Sequence, residues 1–425
     1  MTPDSGVDAN SMAATKTLGD YVALQRGTTY RSALLGQPGP VLLGLASIQR
    51  NGGFRHDKLR TYGGDSPEKL VLGPGTMYVS LKDVTQSGDL LGAVARVPDG
   101  IGFGRLTQDT VKLKPVNSDI PSQYIYWALL TPQYRAYCRQ RAMGTTNLSL
   151  SRADFLAFPL PAATRKRLIL VELLELLEAK IESNRRLATL LEQALTTMFH
   201  ARFVDVLGVG GHMSEQVGQV PAGWRFGCLA ELADFVNGKA FTKHANGLGR
   251  PILRIKELKA GVTGSTPWTD VAADSKHLAG YDDILFAWSG SLDVYRWSGQ
   301  ESLINQHVFK VIPRSLPAWF VFGWIRQHMT EFQAIARDKA TTMGHIQRKH
   351  LSEARVLLPD GEELAQADAQ LAPLDARRSV AIREIQTLTD IREALLPKLI
   401  SGEFGVQETG DIDELVGAVA EEVSG

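Results

Sequence analysis

Four cations and a histidine fall within one short stretch, Arg50-Asn-Gly-Gly-Phe-Arg-His-Asp-Lys-Leu-Arg60. Arg50, Arg55, Lys58 and Arg60 can neutralise phosphates or reach guanine edges in a DNA groove. Gly52 and Gly53 let the backbone come close to a partner. A comparable loop lies in the second half of the chain, where Lys239, Lys243, His244 and Arg250 are interleaved with Gly247 and Gly249. A second pair of loops mixes cations, hydroxyls and an amide or imidazole. One is Arg141-Ala-Met-Gly-Thr-Thr-Asn147; the other is Lys339-Ala-Thr-Thr-Met-Gly-His345, with Arg348 just beyond it. Arg141, Thr145, Thr146 and Asn147, like Lys339, Thr341, Thr342, His345 and Arg348, are side chains that contact phosphate and base edges. Solvated loops and helix C-caps are the bland reading. Recurrence in two places favours binding.

Chemistry of bond making is not legible. There is no Gly-x-x-x-x-Gly-Lys-Ser/Thr phosphate loop, no His-Glu-x-x-His and no Gly-x-Ser-x-Gly elbow. The Asn/Asp-Pro-Pro-aromatic motif of an amino-methyltransferase is also missing. Carboxylate-x-Lys pairs at Glu257-Leu-Lys259 and Asp274-Ser-Lys276 lack a convincing upstream Asp. The expectation is a non-catalytic chain with no metal site and no cofactor of its own. Two distant cysteines, Cys138 and Cys228, fit a reduced cytoplasm, and no apolar run is long enough to span a membrane. The formal net charge is zero, but it is unevenly spread. Residues 18–160 carry +6 and residues 224–359 carry +5, while residues 360–425 carry −10. Two basic blocks are electrostatic footprints for a polyanion.

Long helices must position these loops. Residues 164–202 contain no Gly or Pro. Leu170, Leu174, Leu177, Ile181, Asn184, Ala188, Leu191, Leu195 and Met198 alternate by four and three, a coiled-coil seam with one polar member. A second seam runs through Leu374, Arg378, Ala381, Ile385, Leu388, Arg392, Leu395 and Leu399. The basic blocks resemble one another. Gly27 falls on Gly238, Tyr30 on Phe241 and Pro40 on Pro251, an offset of 211. Further on the offset is 198, with Gln108, Lys112 and Pro115 falling on Gln306, Lys310 and Pro313. The second copy has thus lost roughly a dozen residues, and the Gly-rich region from Asn51 to Gly104 is expected to hold the difference.

The organisation expected is a disordered leader (1–17), a recognition domain (18–161), a long helix (162–206), a linker (207–223), a second recognition domain (224–359), a second long helix (360–404) and an acidic tail (405–425). The fold class is α+β: two similar domains separated by two long helices in an antiparallel coiled coil, with pseudo-twofold symmetry.

On these residues the chain resembles the specificity subunit of type I restriction–modification enzymes. The resemblance covers about residues 18–404. It rests on the duplicated domain with its Thr-Thr loop and proline-bounded strand, the repeated helices, and the closing Leu395-Leu-Pro-Lys-Leu-Ile-Ser-Gly-Glu403. It implies two target-recognition domains, each reading half of a bipartite sequence in double-stranded DNA, with the coiled coil as a ruler. It also implies partners: two methyltransferase subunits carrying the S-adenosylmethionine site, and a motor–nuclease subunit for cleavage. Two other readings stay open, a divergent nuclease or methyltransferase and a coiled-coil scaffold that binds no DNA.

Overall fold

The computed structural model describes residues 16–207, 220–338 and 344–402. Residues 1–15 of the leader, most of the 207–223 linker, the acidic tail and Lys339, Thr341 and Thr342 lie outside the described residues. The last two leader residues are described, with Thr17 bridging to Pro159 and Lys16 paired with Asp119.

In chain order the first half contains β1 (Val22–Arg26), β2 (Val41–Leu43), β3 (Val71–Leu72), β4 (Met77–Ser80), β5 (Lys82–Asp83), β6 (Val94–Arg96), β7 (Gly104–Leu106) and β8 (Thr110–Pro115). Then come α1 (Ser122–Ala128), α2 (Pro132–Gln140), β9 (Leu148–Ser149), α3 (Arg152–Leu156) and the long α4 (Arg165–Phe199). The second half contains β10 (Arg225–Cys228), α5 (Leu229–Leu232), β11 (Ala233–Asn237), β12 (Arg250–Leu253), α6 (Ile255–Ala260), β13 (Trp268–Thr269), β14 (Leu278–Ala279), β15 (Ile284–Ala287), β16 (Asp293–Arg296), β17 (Ser302–Ile304) and β18 (Val308–Pro313). It closes with α7 (Ala318–Gln327), α8 (Met329–Asp338), α9 (Arg348–Glu353), β19 (Arg355–Leu358) and the long α10 (Gly361–Ser401).

The chain forms two compact units, cut inside both long helices. Unit 1 holds the chain up to Ala179 and from Leu388; unit 2 is Lys180–Thr387. Each unit has a four-stranded sheet, ordered β1-β8-β4-β6 in unit 1 and β11-β18-β15-β16 in unit 2. Each has a second sheet with one parallel pair, β2 beside β7 or β12 beside β17, and an antiparallel neighbour, β3 or β14; unit 2 adds β13 as a fourth strand, antiparallel to β12. The duplication read from the sequence is therefore a duplication of connectivity.

The shifting offset is equally concrete. Gly27 packs so tightly that a Cβ there would sit 2.0 Å from Thr107 O; at Gly238 the same atom would sit 2.2 Å from Asn305 O. Hence Gly27 matches Gly238, and Thr107 matches Asn305. The missing residues fall between β2 and β7, inside the expected region. The largest loss is in the β4–β6 connection: Met77 pairs with Arg96, whereas Ile284 pairs with Arg296.

In unit 1 the first half of α4 runs antiparallel to the last part of α10. Arg167 donates to the carbonyls of Leu399 (2.8 Å) and Ile400 (3.0 Å). Leu170, Leu174, Leu177, Leu395 and Leu399 join a core built on Trp127, Tyr134 and Phe155. In unit 2 the rest of α4 meets the start of α10 in the same sense. Arg202 pairs with Glu363 at 3.2 Å and Lys180 with Glu384 at 3.3 Å. Phe199, Ala367 and Leu371 enter the core with Phe320 and Trp324.

Among the seam residues, Ile181 and Asn184 are buried, while Leu191, Leu195, Ile385 and Leu388 are half-buried. The two arginines that break the second seam are paired. Arg392 meets Glu178 at 2.6 Å, and buried Arg378 meets Asp375 at 3.0 Å and Glu192 at 3.5 Å. α10 continues through Pro373 and Pro397, although each proline removes one helix hydrogen bond.

Candidate nucleic-acid interface

In unit 1 the Arg50–Arg60 loop is held by its backbone. Asn51, Gly52 and Gly53 take φ of 65°, 116° and 100°, in or beyond the left-handed region that glycine tolerates and Asn visits at small cost. At Gly52 a side chain would also strike Leu130 Cδ2 at 2.3 Å. The turn is tied by Asn51 N–H donating to Asp89 O (2.8 Å), Gly53 N–H to Val94 O (2.8 Å) and Gln49 N–H to Gly53 O (2.9 Å). Cations project from this frame. The Arg50 side chain is 82% exposed and 3.9 Å from Asp89. Lys58 and Arg60 are exposed. Arg55 is engaged with Asp57 through two bonds of 2.5 and 2.9 Å, and that guanidinium holds the Asp57 carboxyl below its ordinary pKa.

The Thr-Thr loop of unit 1 is a closed hairpin. Met143 and Ser149 exchange two 2.9 Å backbone bonds, and Gly144 turns at φ 97°. Arg141, Thr145, Thr146 and Asn147 are all exposed, and the Arg141 guanidinium lies 3.7 Å from the Tyr137 ring centroid.

One turn, Gly88–Leu91, joins both loops. It accepts the Asn51 amide on one side, while Gly88 faces Arg139 and Leu148, at the hairpin's base, on the other. Buried Arg135 pins it, donating to the carbonyls of Leu91 (2.6 Å), Gly88 (3.0 Å) and Asp89 (2.8 Å). A second buried guanidinium, Arg105, donates to the carbonyls of Asp65, Leu106 and Thr29 and to the Thr28 hydroxyl, and lies over Tyr62. Neither residue was singled out from the sequence. A buried arginine bound to carbonyls needs no carboxylate at any fixed spacing, so no pattern marks it.

In unit 2, Lys239 and Lys243 are exposed, and Arg250 meets Glu301 at 2.6 Å. Gly247 and Gly249 turn at φ 83° and 77°. His345 is brought near the end of β11 by Trp288. That indole donates to Asn237 Oδ1 at 3.0 Å, and its ring is 6.3 Å from the His345 ring. His307 completes the cluster, 5.6 Å from Trp288 and 3.1 Å from the Ser289 hydroxyl. Trp288 and His307 are further residues that spacing alone did not reveal. Arg348 turns back onto its own unit, donating to Phe235 O at 3.0 Å and lying over Phe309. Arg250 lies on the β13-β12-β17-β14 sheet, apart from the Trp288 cluster, which follows β15 of the β11-β18-β15-β16 sheet. Buried His277 sits beside Lys239; desolvation first, then Lys239 and Lys276, lower its pKa. Protonating it would place another charge against that lysine.

Unit 1 thus presents exposed cations and hydroxyls, and unit 2 exposed cations, on loops tied down by backbone hydrogen bonds, a surface suited to a polyanion. Among the described residues no group of three or more His, Cys, Asp or Glu side chains is set to hold a metal ion, and no helix is long and apolar enough to cross a membrane.

A duplicated α+β module strung on two long helices defines the class. Its particular form has known likenesses. The crystal structure of a type I restriction–modification system S subunit from M. genitalium superposes with a TM-score of 0.57 at 14% identity, covering 90% of this chain and 95% of that one. The type I restriction enzyme MjaIX specificity subunit of Methanocaldococcus jannaschii is 23% identical over 313 residues, which is 68% of this chain and 70% of that protein. No family model matches the chain. The fold is that of a type I restriction–modification specificity subunit, the family that the sequence resembles.

Proposed function

We propose that this chain is the DNA-recognition subunit of a type I restriction–modification enzyme. Each unit reads one half of a bipartite target through its basic loops. The long helices set the unread gap between the halves. Methyltransferase subunits, two per chain, dock on the assembly and supply S-adenosylmethionine; a motor–nuclease subunit joins for cleavage, and the assembly works in the cytoplasm. The observation that carries this reading is the duplicated connectivity, with a cationic, backbone-locked loop in each copy.

Physically, exposed Arg and Lys supply salt-dependent affinity by releasing counterions. Each good base contact adds on the order of 1–3 kcal/mol of discrimination. The 35 residues of α4 span about 52 Å at 1.5 Å per residue, which bounds the gap to about 15 base pairs. This chain's own residues bind and orient DNA; methyl transfer belongs to the partner.

The deciding experiment is methylome sequencing of cells expressing this chain with its neighbouring methyltransferase, against cells lacking the chain. A bipartite motif with an unread gap, present only with the chain, is the expected result. An assembled complex that methylates no such motif would favour the scaffold reading.

A further inference from the structure

The two units differ at one helix position, and in unit 2 that position lies on the wall of a cleft. α1 and α7 both begin after a proline, Pro121 and Pro317. That alignment sets Tyr124 on Phe320, Tyr126 on Phe322 and Trp127 on Gly323. In unit 1, Trp127 is 1% exposed and its indole N–H donates to Glu175 Oε1 at 2.7 Å. Arg96, from edge strand β6, donates to the same carboxylate at 2.8 and 3.1 Å.

Unit 2 keeps the arginine–carboxylate half of this arrangement. Arg296, from edge strand β16, donates to Asp375 Oδ2 at 3.1 Å. Arg378, whose side chain is 6% exposed, takes Asp375 Oδ1 with bonds of 3.1 and 3.0 Å. No indole reaches Asp375; that of Trp319 donates instead to Asp368 Oδ1 at 2.7 Å. Gly323 has no side chain, and the neighbouring Trp324 turns into the core, where its Nε1 has no partner. Gly323 and Asp375 both line an open cleft of about 490 Å³.

We propose that this cleft binds a small planar heteroaromatic molecule with a ring N–H, of the indole class. Its size falls within the roughly 300–1,000 Å³ of ligand sites, which are mostly apolar with a few fixed polar groups. The rings of Phe199, Trp319 and Phe322 line it. The carboxylate is the polar anchor. It has about four lone-pair positions, and three hydrogen bonds to Asp375 leave one free on Oδ2. In unit 1 the corresponding capacity is taken by the protein's own indole. The ligand is uncharged, because the lining cations are already neutralised: Arg326 is bonded to Glu192, and Arg378 to Asp375 and Glu192. The side-chain direction of Gly323 is closed by the Phe199 ring, which a Cβ would meet at 2.6 Å, so the free volume lies beside that ring, toward Asp375. This inference stands independently of DNA reading.

The test uses the full-length chain and ligand-observed NMR with indole and with indene, the isostere that replaces N–H by CH2. Saturable indole binding, about tenfold or more tighter than indene, is expected from one hydrogen bond to a charged acceptor. Leu195→Trp fills the cleft from α4 and Thr330→Trp fills it from the rim of α8; either folded variant should abolish indole binding. Equal affinity for indole and indene would overturn the N–H assignment. Indole binding unchanged in both folded variants would overturn the location. No saturable indole binding, with a tryptophan-bearing peptide binding instead, would replace the small molecule by a protein partner.

Discussion

Arg135 offers the sharpest test of how unit 1 is built. It is 2% exposed, and burial pulls the guanidinium pKa down. Three carbonyls hold it, at 2.6, 3.0 and 2.8 Å. Arg135→Met keeps an unbranched stem and removes the guanidinium. Three carbonyls then lose a charged donor at a net cost near 1 kcal/mol each once relief of the buried charge is counted, about 3 kcal/mol in all. For a unit of this size each kcal/mol shifts Tm by about 2–4 °C, so a loss of roughly 6–12 °C is expected. The readout is thermal unfolding of the full-length protein with hydrogen exchange at Asn51, whose amide donates to Asp89 O. If the Gly88–Leu91 turn supports the basic loop, the variant also loosens one half-site of the methylated motif and leaves the other intact. A Tm drop below about 2 °C with Asn51 still protected would refute the reasoning. So would equal disturbance of both half-sites.

Four further outcomes are expected. Gly27→Ala and Gly238→Ala each push a Cβ to within 2.0–2.2 Å of a carbonyl oxygen, so each should cost about 3 kcal/mol or more in urea unfolding; a neutral result at either would break the equivalence of the copies. The Asp282 carboxyl would be raised by burial, but bonds from Arg296 and Ser379 and the charge of Arg378 hold it below its ordinary value. Its contribution is therefore present above the unfolded value near 3.9 and is lost as pH falls through the lower folded value. Urea midpoints between pH 7 and 3 should fall less steeply for Asp282→Asn than for the parent. Exchanging residues 18–160 for another such domain should change a single half-site in the methylome, and a change in both would end the modular reading. Inserting seven residues, about two helical turns, after Asn184 should lengthen the unread gap; an unchanged gap with retained binding would rule out the ruler.

The repeat was legible because Gly27, Gly238, Pro115 and Pro313 sit where backbone geometry admits few substitutes. The long helices were legible because seams through Leu174 and Leu395 repeat at helical spacing. The cationic loops were found by composition alone, and the structure adds what holds them. Arg135, Arg105 and Trp288 act mostly through carbonyls, side-chain oxygens and ring faces contributed by residues distant in sequence, so no local pattern marked them. The contrast of Trp127 with Gly323 was present in the letters. It acquired meaning only once Glu175 and Asp375 were seen beside those positions.

Because the division between units falls inside both long helices, unit 2 is one uninterrupted segment, Lys180–Thr387. Its ends are neighbours, since Lys180 and Glu384 are within 3.3 Å. In genetic terms, two crossovers suffice to exchange this unit as a cassette. Both junctions would lie on helical surface, and the core of unit 1 would keep every residue it was built from. On the proposed function, a gene of this layout would acquire a new half-specificity in one such exchange while inheriting the other unchanged.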